Sequence, residues 1–170
     1  MAADAQEVDS GAADSFEAFV AARSGALFRT AYLLTGHRAD AEDLLQVTLV
    51  KLYVAWRRVQ RAGSVEAYAR TVLTHAFISS RRPARVTRER VVEAPPELPV
   101  PSSVPEDRLT LWPQIVRLPP RQRAVVVLRY YEDLSEQEIA TALGCSPGTV
   151  KSTAHAALRT LRGRLEGERS

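Results

Sequence analysis

The sequence predicts an all-α fold in which two small helical domains are joined by a Pro-rich linker. Three observations lead there. Apolar residues recur at helical spacing in both halves of the chain. Six of the ten prolines, Pro83, Pro95, Pro96, Pro99, Pro101 and Pro105, crowd between those halves. A capping signature, a glycine and a Ser-Pro pair then follow one another in the second half, the punctuation of two short consecutive helices. At 170 residues and 45% hydrophobic, the chain has enough apolar material for one domain or two small ones, given about 100–200 residues per domain.

Residues 1–13 carry neither the basic patch nor the apolar stretch of a secretion signal and are read as a disordered tail. The first domain is assigned to 14–82. From Ser15 to Leu34, Phe16, Phe19, Val20, Leu27, Ala31 and Leu34 repeat at helical spacing, with Ser15 as N-cap and Gly36 as stop. A second helix follows Asp40 and runs to about Val59, with Leu44, Leu45, Thr48, Leu49, Leu52 and Trp56 along one side. Val47, Val50 and Val54 fall off that stripe. An almost all-round apolar helix is covered on two sides, here either by another helix of the same chain or by a partner. Ala62-Gly63-Ser64 breaks the pattern. A third helix, about Val65 to Ser80, puts Val65, Tyr68, Val72, Ala76 and Ser79 on one face, with Leu73 and Phe77 beside them. Arg70 and Thr74, four residues apart, share an adjacent face.

Residues 83–107 lack apolar periodicity and hold the proline cluster, whose rings fix φ and remove backbone donors. They read as an extended or disordered linker, or as a segment ordered by a partner. The second domain is assigned to 108–167. Pro119-Pro120 opens a helix with Ala124, Val125, Val127, Leu128 and Tyr131 buried. Ser135-Glu136-Gln137-Glu138 forms a capping box for a short helix that turns Ile139, Ala140 and Leu143 inward. Gly144 supplies the positive φ of a tight turn, and Ser146-Pro147 caps the next helix, which buries Val150, Ala154, Leu158, Leu161 and Leu165. Ala140, Gly144 and Val150 stand at the spacing of a helix-turn-helix, where a small residue permits close crossing and Val150 pins the second helix. That helix would offer Gly148, Thr149, Lys151, Ser152 and His155 to the major groove. Lys151 suits a guanine edge or a phosphate. Arg129 suits a phosphate, or else an ion pair with Glu132 or Asp133.

Charge is distributed unevenly. The net charge is only +3, but residues 57–90 hold nine Lys/Arg against two Asp/Glu, whereas residues 1–56 hold four against eight. A basic block flanked by acidic ones suggests a polyanionic partner for part of the chain, with a solvated charged face as the plainer alternative. No apolar run reaches the roughly 18 residues of a membrane span. One cysteine, Cys145, excludes an internal disulfide framework and a Cys-rich zinc site. His37, His75 and His155 lack metal-ligand spacing, and Gly36, Gly63 and Gly148 form no phosphate loop. Neither an enzyme nor a cofactor is expected, and a cytoplasmic location is.

The motif DAEDLLQ (Asp40 to Gln46), followed by LPPRQRAVVVLRYYEDLSEQEIATALGCSPGTVKS (Leu118 to Ser152), resembles the extracytoplasmic-function (ECF) sigma factors of bacterial RNA polymerase. AFVAARSGALFRTAYLLTG and YVAWRRV are similar to the actinobacterial SigE-like branch. The likeness spans roughly residues 14–82 and 108–165. The C-terminal motif alone is shared with other regulators, so a stand-alone helix-turn-helix regulator is the alternative.

The resemblance implies that the first domain is sigma region 2, the second sigma region 4, and the partners core RNA polymerase and promoter DNA. It implies that Asp43 and Gln46 make polar contacts with the β′ clamp helices, with Val47 and Val50 on the same docking helix and region 4 at the β flap. Val47 stands where the family usually has an acidic residue. Arg57, Arg58, Arg61, Arg70, Thr74, His75, Arg81 and Arg82 would hold and read the opened minus-ten strand, a task needing backbone neutralisation and a reward for unstacked bases. Thr74 replaces an asparagine common in the family. Arg129, Gly148, Thr149, Lys151, Ser152 and His155 would serve the minus-thirty-five element. An anti-sigma factor is a usual further partner in the family, although the SigE-like branch does not require one.

Overall fold

The computed structural model describes residues 2–80 and 105–170, with side chains for 15–80 and 111–170. Among the described residues every regular element is helical. Helix α1 spans Ala2–Thr35, α2 Arg38–Val54, α3 Trp56–Arg61, α4 Val65–Ser80, α5 Pro105–Val116, α6 Pro120–Val126, α7 Glu136–Leu143 and α8 Pro147–Glu168. A π-helical turn, Val127–Tyr131, continues α6.

The first domain is built from α1 to α4. Helix α1 begins at Ala2, so the backbone of residues 2–13, expected as a disordered tail, is helical. Alanine, glutamate and glutamine in that stretch are good helix formers, which periodicity alone did not weigh. Ser15 is therefore inside the helix rather than at its cap, and its hydroxyl accepts from Gln60 Nε2 at 3.0 Å. Gly36 stops α1 with a φ of +76°, and a Cβ there would come within 2.7 Å of Val116, so the turn needs glycine for two reasons. The second helix does not run to Val59. It ends at Val54 and restarts as α3, which packs on α1 and α4 with Trp56 and Val59 buried. Trp56 meets the rings of Phe16 and Phe19 at 5.2 and 5.5 Å between centroids. Helix α4 has the predicted length, but its buried face is Ala69, Leu73, Thr74, Ala76 and Phe77, not the Val65–Tyr68–Val72 line. It is covered by α2 on one side and by α7 on another, which rotates the buried sector toward Leu73 and Phe77.

The linker lies outside the described residues except for its end, where Pro105 already begins α5. In the second domain the Ser135 hydroxyl accepts from the Glu138 amide at 3.2 Å and the Glu138 carboxylate accepts from the Ser135 amide at 2.8 Å, the reciprocal pair of a capping box. Gly144 caps α7 at φ +67°. The Ser146 hydroxyl accepts from the Thr149 amide at 3.1 Å and so caps α8. Helix α8 buries Val150, Ala154, Ala157 and Leu161. Leu158, expected inside, is 40% exposed, because the 3.6-residue period brings Ala157 rather than Leu158 onto the stripe of Val150, Ala154 and Leu161. One apolar cluster joins the two domains: Leu34, Leu73 and Phe77 belong to it together with Trp112, Val125, Leu128, Ile139 and Val150.

Candidate nucleic-acid and partner-docking surfaces

Helix α2 buries Ala41, Leu44, Thr48 and Leu52 against its own domain. The opposite side carries Asp43, Gln46, Val47 and Val50, all exposed and recurring every three or four residues. Val50 is 62% exposed. Two residues that sequence reasoning did not assign to this surface, Tyr53 and Val54, extend it to the end of the helix and are 60% and 82% exposed. The Tyr53 ring stands edge-on to Phe16 at 5.2 Å, which fixes its position. These four large apolar side chains form a contiguous exposed row on a surface helix, more than the scatter of single apolar residues usual on a protein surface. In the sequence Val54 falls off the buried stripe together with Val47 and Val50, and that continuity is the signal for it.

The arginines expected for the basic block fall into three groups. Arg57, Arg58 and Arg61 are exposed on α3, and Arg58 Nη2 donates to the Tyr68 hydroxyl at 2.9 Å. Arg70 is half-buried on α4 beside a small cavity that Arg23, Thr30, Glu66 and Glu132 also line, with Arg23 and Glu66 forming an ion pair. Arg81 and Arg82 lie outside the described residues. Thr74 departs from expectation. It is fully buried, its hydroxyl has no hydrogen-bond partner among the described residues, and so it does not present a polar group to a nucleic acid. The cause is the rotated burial of α4, which turns the Thr74 position inward with Leu73 and Phe77. His75, the next residue, is exposed, and its Nε2 lies 3.8 Å from where a Cβ on Gly144 would stand.

Helix α8 brings its predicted residues together. Gly148, Thr149, Lys151, Ser152 and His155 are all exposed on its first two turns. The Thr149 hydroxyl pairs with that of Ser146 at 2.9 Å, and the Ser152 hydroxyl donates to the Thr149 carbonyl at 3.0 Å. Local bonds thus orient both hydroxyls, while Lys151 and His155 project freely enough to meet phosphate or a base edge. Arg129 pairs with Glu136 at 3.1 Å, not with Glu132 or Asp133. Glu136 stands in the first turn of α7, which comes back beside Arg129 after the loop that follows the π-helical turn. That hydrogen bond raises the Arg129 pKa, so the guanidinium stays charged at any working pH. Arg123 was not anticipated. It is 2% exposed, on the same stripe as Val127 one turn later, a spacing that could have marked it as interior.

Among the described residues no group of three or more His, Cys, Asp or Glu is arranged to hold a metal ion. No helix of the described residues is long and apolar enough to cross a membrane.

Comparison with known proteins agrees with this geometry. The family model for Sigma-70 region 2 matches residues 19–86, and that for Sigma-70, region 4 matches residues 110–161. The RNA polymerase sigma-E factor of Streptomyces coelicolor is 41% identical over 152 residues, covering 88% of this chain and 85% of the relative. The ECF RNA polymerase sigma factor SigL of Mycobacterium tuberculosis is 38% identical over 149 residues, covering 82% of each. Among solved structures, the sigma factor RpoE of Bartonella quintana, in complex with the anti-sigma factor NepR, shares the fold with a TM-score of 0.67 at 23% identity, covering 89% of this chain and 97% of that one. With both family regions in order on an all-helical frame, the chain belongs to the sigma-70 family as a SigE-like ECF sigma factor, a subunit that binds core RNA polymerase and directs promoter-specific initiation.

Proposed function

We propose a division of this activity among three surfaces. The outer side of α2, with Asp43, Gln46, Val47 and Val50 extended by Tyr53 and Val54, docks on the β′ clamp helices of core polymerase. The α3 arginines Arg57, Arg58 and Arg61, with Arg70, His75 and the following Arg81 and Arg82, hold the opened minus-ten strand. The start of α8, with Gly148, Thr149, Lys151, Ser152 and His155, reads the minus-thirty-five duplex beside the β flap, while Arg129 supports α7 through Glu136. Thr74 is left out of the minus-ten set. Region 2 then corresponds to 14–82 and region 4 to 108–167, joined by a linker at 83–107. The protein acts in the cytoplasm without catalysis or a cofactor, and an anti-sigma factor is a further partner.

The observation that carries this reading is the exposed apolar row on α2. A factor that met only DNA would have no use for it, because apolar side chains gain little against a phosphate backbone. The expected result is site-specific transcripts from genomic fragments when the protein is added to reconstituted core, and weak duplex binding without core. Tight, sequence-selective duplex binding by the protein alone, with no core-dependent transcript, would favour a stand-alone helix-turn-helix regulator.

A further inference from the structure

Helix α8 carries cations well beyond the turns assigned to the minus-thirty-five element. It runs for 22 residues, Pro147–Glu168. From Ile139 to Leu165 the sequence has no aspartate or glutamate, and Lys151, Arg159, Arg162 and Arg164 are the Lys/Arg of that span. With about 100° of turn per residue, Lys151, His155, Arg159 and Arg162 fall within about 80° of one another. All four are exposed, on the side of the helix away from the buried Val150, Ala154, Ala157 and Leu161. Arg164 falls outside that row and donates to the Gln114 carbonyl at 3.2 Å.

Two ordinary reasons for a helical arginine do not apply to Arg159 and Arg162. Neither has a hydrogen-bond or ion-pair partner among the described residues, and Glu166, one turn beyond Arg162, is not paired with it. Neither stands in the last turn of α8, which holds no basic residue, so neither answers the helix dipole. Their spacing suits a different partner. A rise of about 1.5 Å per residue puts Arg159 about 12 Å and Arg162 about 16 Å along the axis from Lys151. The major groove is about 12 Å wide. With the first turns of α8 at base edges, the same face one groove width farther on reaches the backbone that borders the groove. That backbone carries one negative charge per about 1.7 Å of duplex, and the row has no carboxylate to repel it.

We propose that Arg159 and Arg162 form a phosphate clamp, separate from the base-reading turns of α8. They grip the backbone of the upstream duplex whatever its sequence and hold Lys151 and His155 in register on the bases. Phosphate contacts position and base contacts specify, so the later turns of α8 supply affinity and the first two supply selectivity. The inference rests on the minus-thirty-five role proposed for the start of α8.

The test uses holoenzyme reconstituted from core and the full-length protein. Its probe is a fluorescent duplex that carries the minus-thirty-five element of a mapped promoter and ends before the minus-ten element. Anisotropy reads duplex affinity across a salt series, and a titration reads core binding alongside. Arg159→Gln with Arg162→Gln should weaken duplex binding about tenfold and lower the slope of log affinity against log salt by about 1.8. The loss should be equal on duplexes with base substitutions in the element, whereas Lys151→Ala should weaken the cognate element more than the substituted ones. Arg159→Lys with Arg162→Lys keeps both charges and should restore the parent slope. Glutamine is a good helix former. Should the double variant still lower helicity, each single variant decides, with a slope change of about 0.9. An unchanged slope in the glutamine variants, a loss confined to the cognate element, or a lysine variant as weak as the glutamine one would each overturn the proposal. Weaker core binding with an unchanged duplex slope would give the row to an acidic protein face and overturn it as well. Full affinity for the cognate duplex in Lys151→Ala with His155→Ala would instead remove the minus-thirty-five reading, and the arginine slopes would still judge the clamp.

Discussion

Helices α2 and α8 bury nearly the same stripe and turn opposite chemistries outward. Ala41, Leu44, Thr48 and Leu52 line the inside of α2, and Val150, Ala154, Ala157 and Leu161 line the inside of α8, each set repeating every three or four residues. Outside, α2 shows Val47, Val50, Tyr53 and Val54, whereas α8 shows Thr149, Lys151, Ser152 and His155. The inner stripe fixes where a helix sits. The outer row decides what it meets, a protein surface that rewards apolar burial or a polyanion that rewards cations and hydroxyls.

This contrast is most severely tested on α2. Val47→Glu with Val50→Glu should weaken binding to core polymerase by about 100-fold, since two valines contribute about 1.5 kcal/mol each when buried. Both side chains are exposed, so circular dichroism melts should move little. Unchanged affinity in a core-binding titration would mean that the apolar row serves something else. On α8 the expected change is smaller. Lys151→Ala should lower affinity for the upstream duplex about tenfold and shallow the salt dependence by about one counterion. Templates without the upstream element should be transcribed as before, and an equal loss on them would remove the base-reading role.

Sequence reasoning found the second domain's punctuation because it is local. The Ser135–Glu138 box, the αL turn at Gly144 and the Ser146 cap each close within about four residues, so side-chain identity at fixed spacing nearly determines them. The exposed row on the first turns of α8 was legible for the same reason. What escaped depends on the two domains touching. Thr74 looked like a surface position on an isolated helix and is buried once α7 and α2 both cover α4. Arg123 has no assigned role in the sequence reading and is held across the interface by a backbone carbonyl 89 residues away, a partner that no side-chain pattern announces. Leu158 and Ala157 exchanged places because side-chain size suggested the leucine, while the helical period chose the alanine.

Two weaker effects sharpen the contrast from the α7 side, on which α8 is mounted. Ser135→Ala removes the cap acceptor and should cost about 1 kcal/mol, seen as a lower thermal midpoint, with α2-dependent core binding unaffected. The Ser135 backbone and hydroxyl hydrogen bonds hold the Glu138 carboxyl below its ordinary value of 4.5. A lowered carboxylate contributes stability that is fully present above the unfolded value and lost as pH falls through the folded one. Glu138→Gln should therefore lower the melting midpoint at neutral pH, leave it nearly unchanged in acid, and so flatten the acid limb of the profile. A parallel shift at every pH would show that the carboxylate's charge plays no part.

The π-helical turn at Val127–Tyr131 has a consequence of a different sort. Its i to i−5 closure, with the Glu132 amide on the Val127 carbonyl at 3.1 Å, accommodates one residue more than an α-turn would. Deleting a single residue there would restore ordinary winding and leave one residue less of chain between α6 and the Ser135 cap of α7. The length of this short stretch, more than its lettering, thus sets how much slack the chain has before it must fold back into the helix-turn-helix.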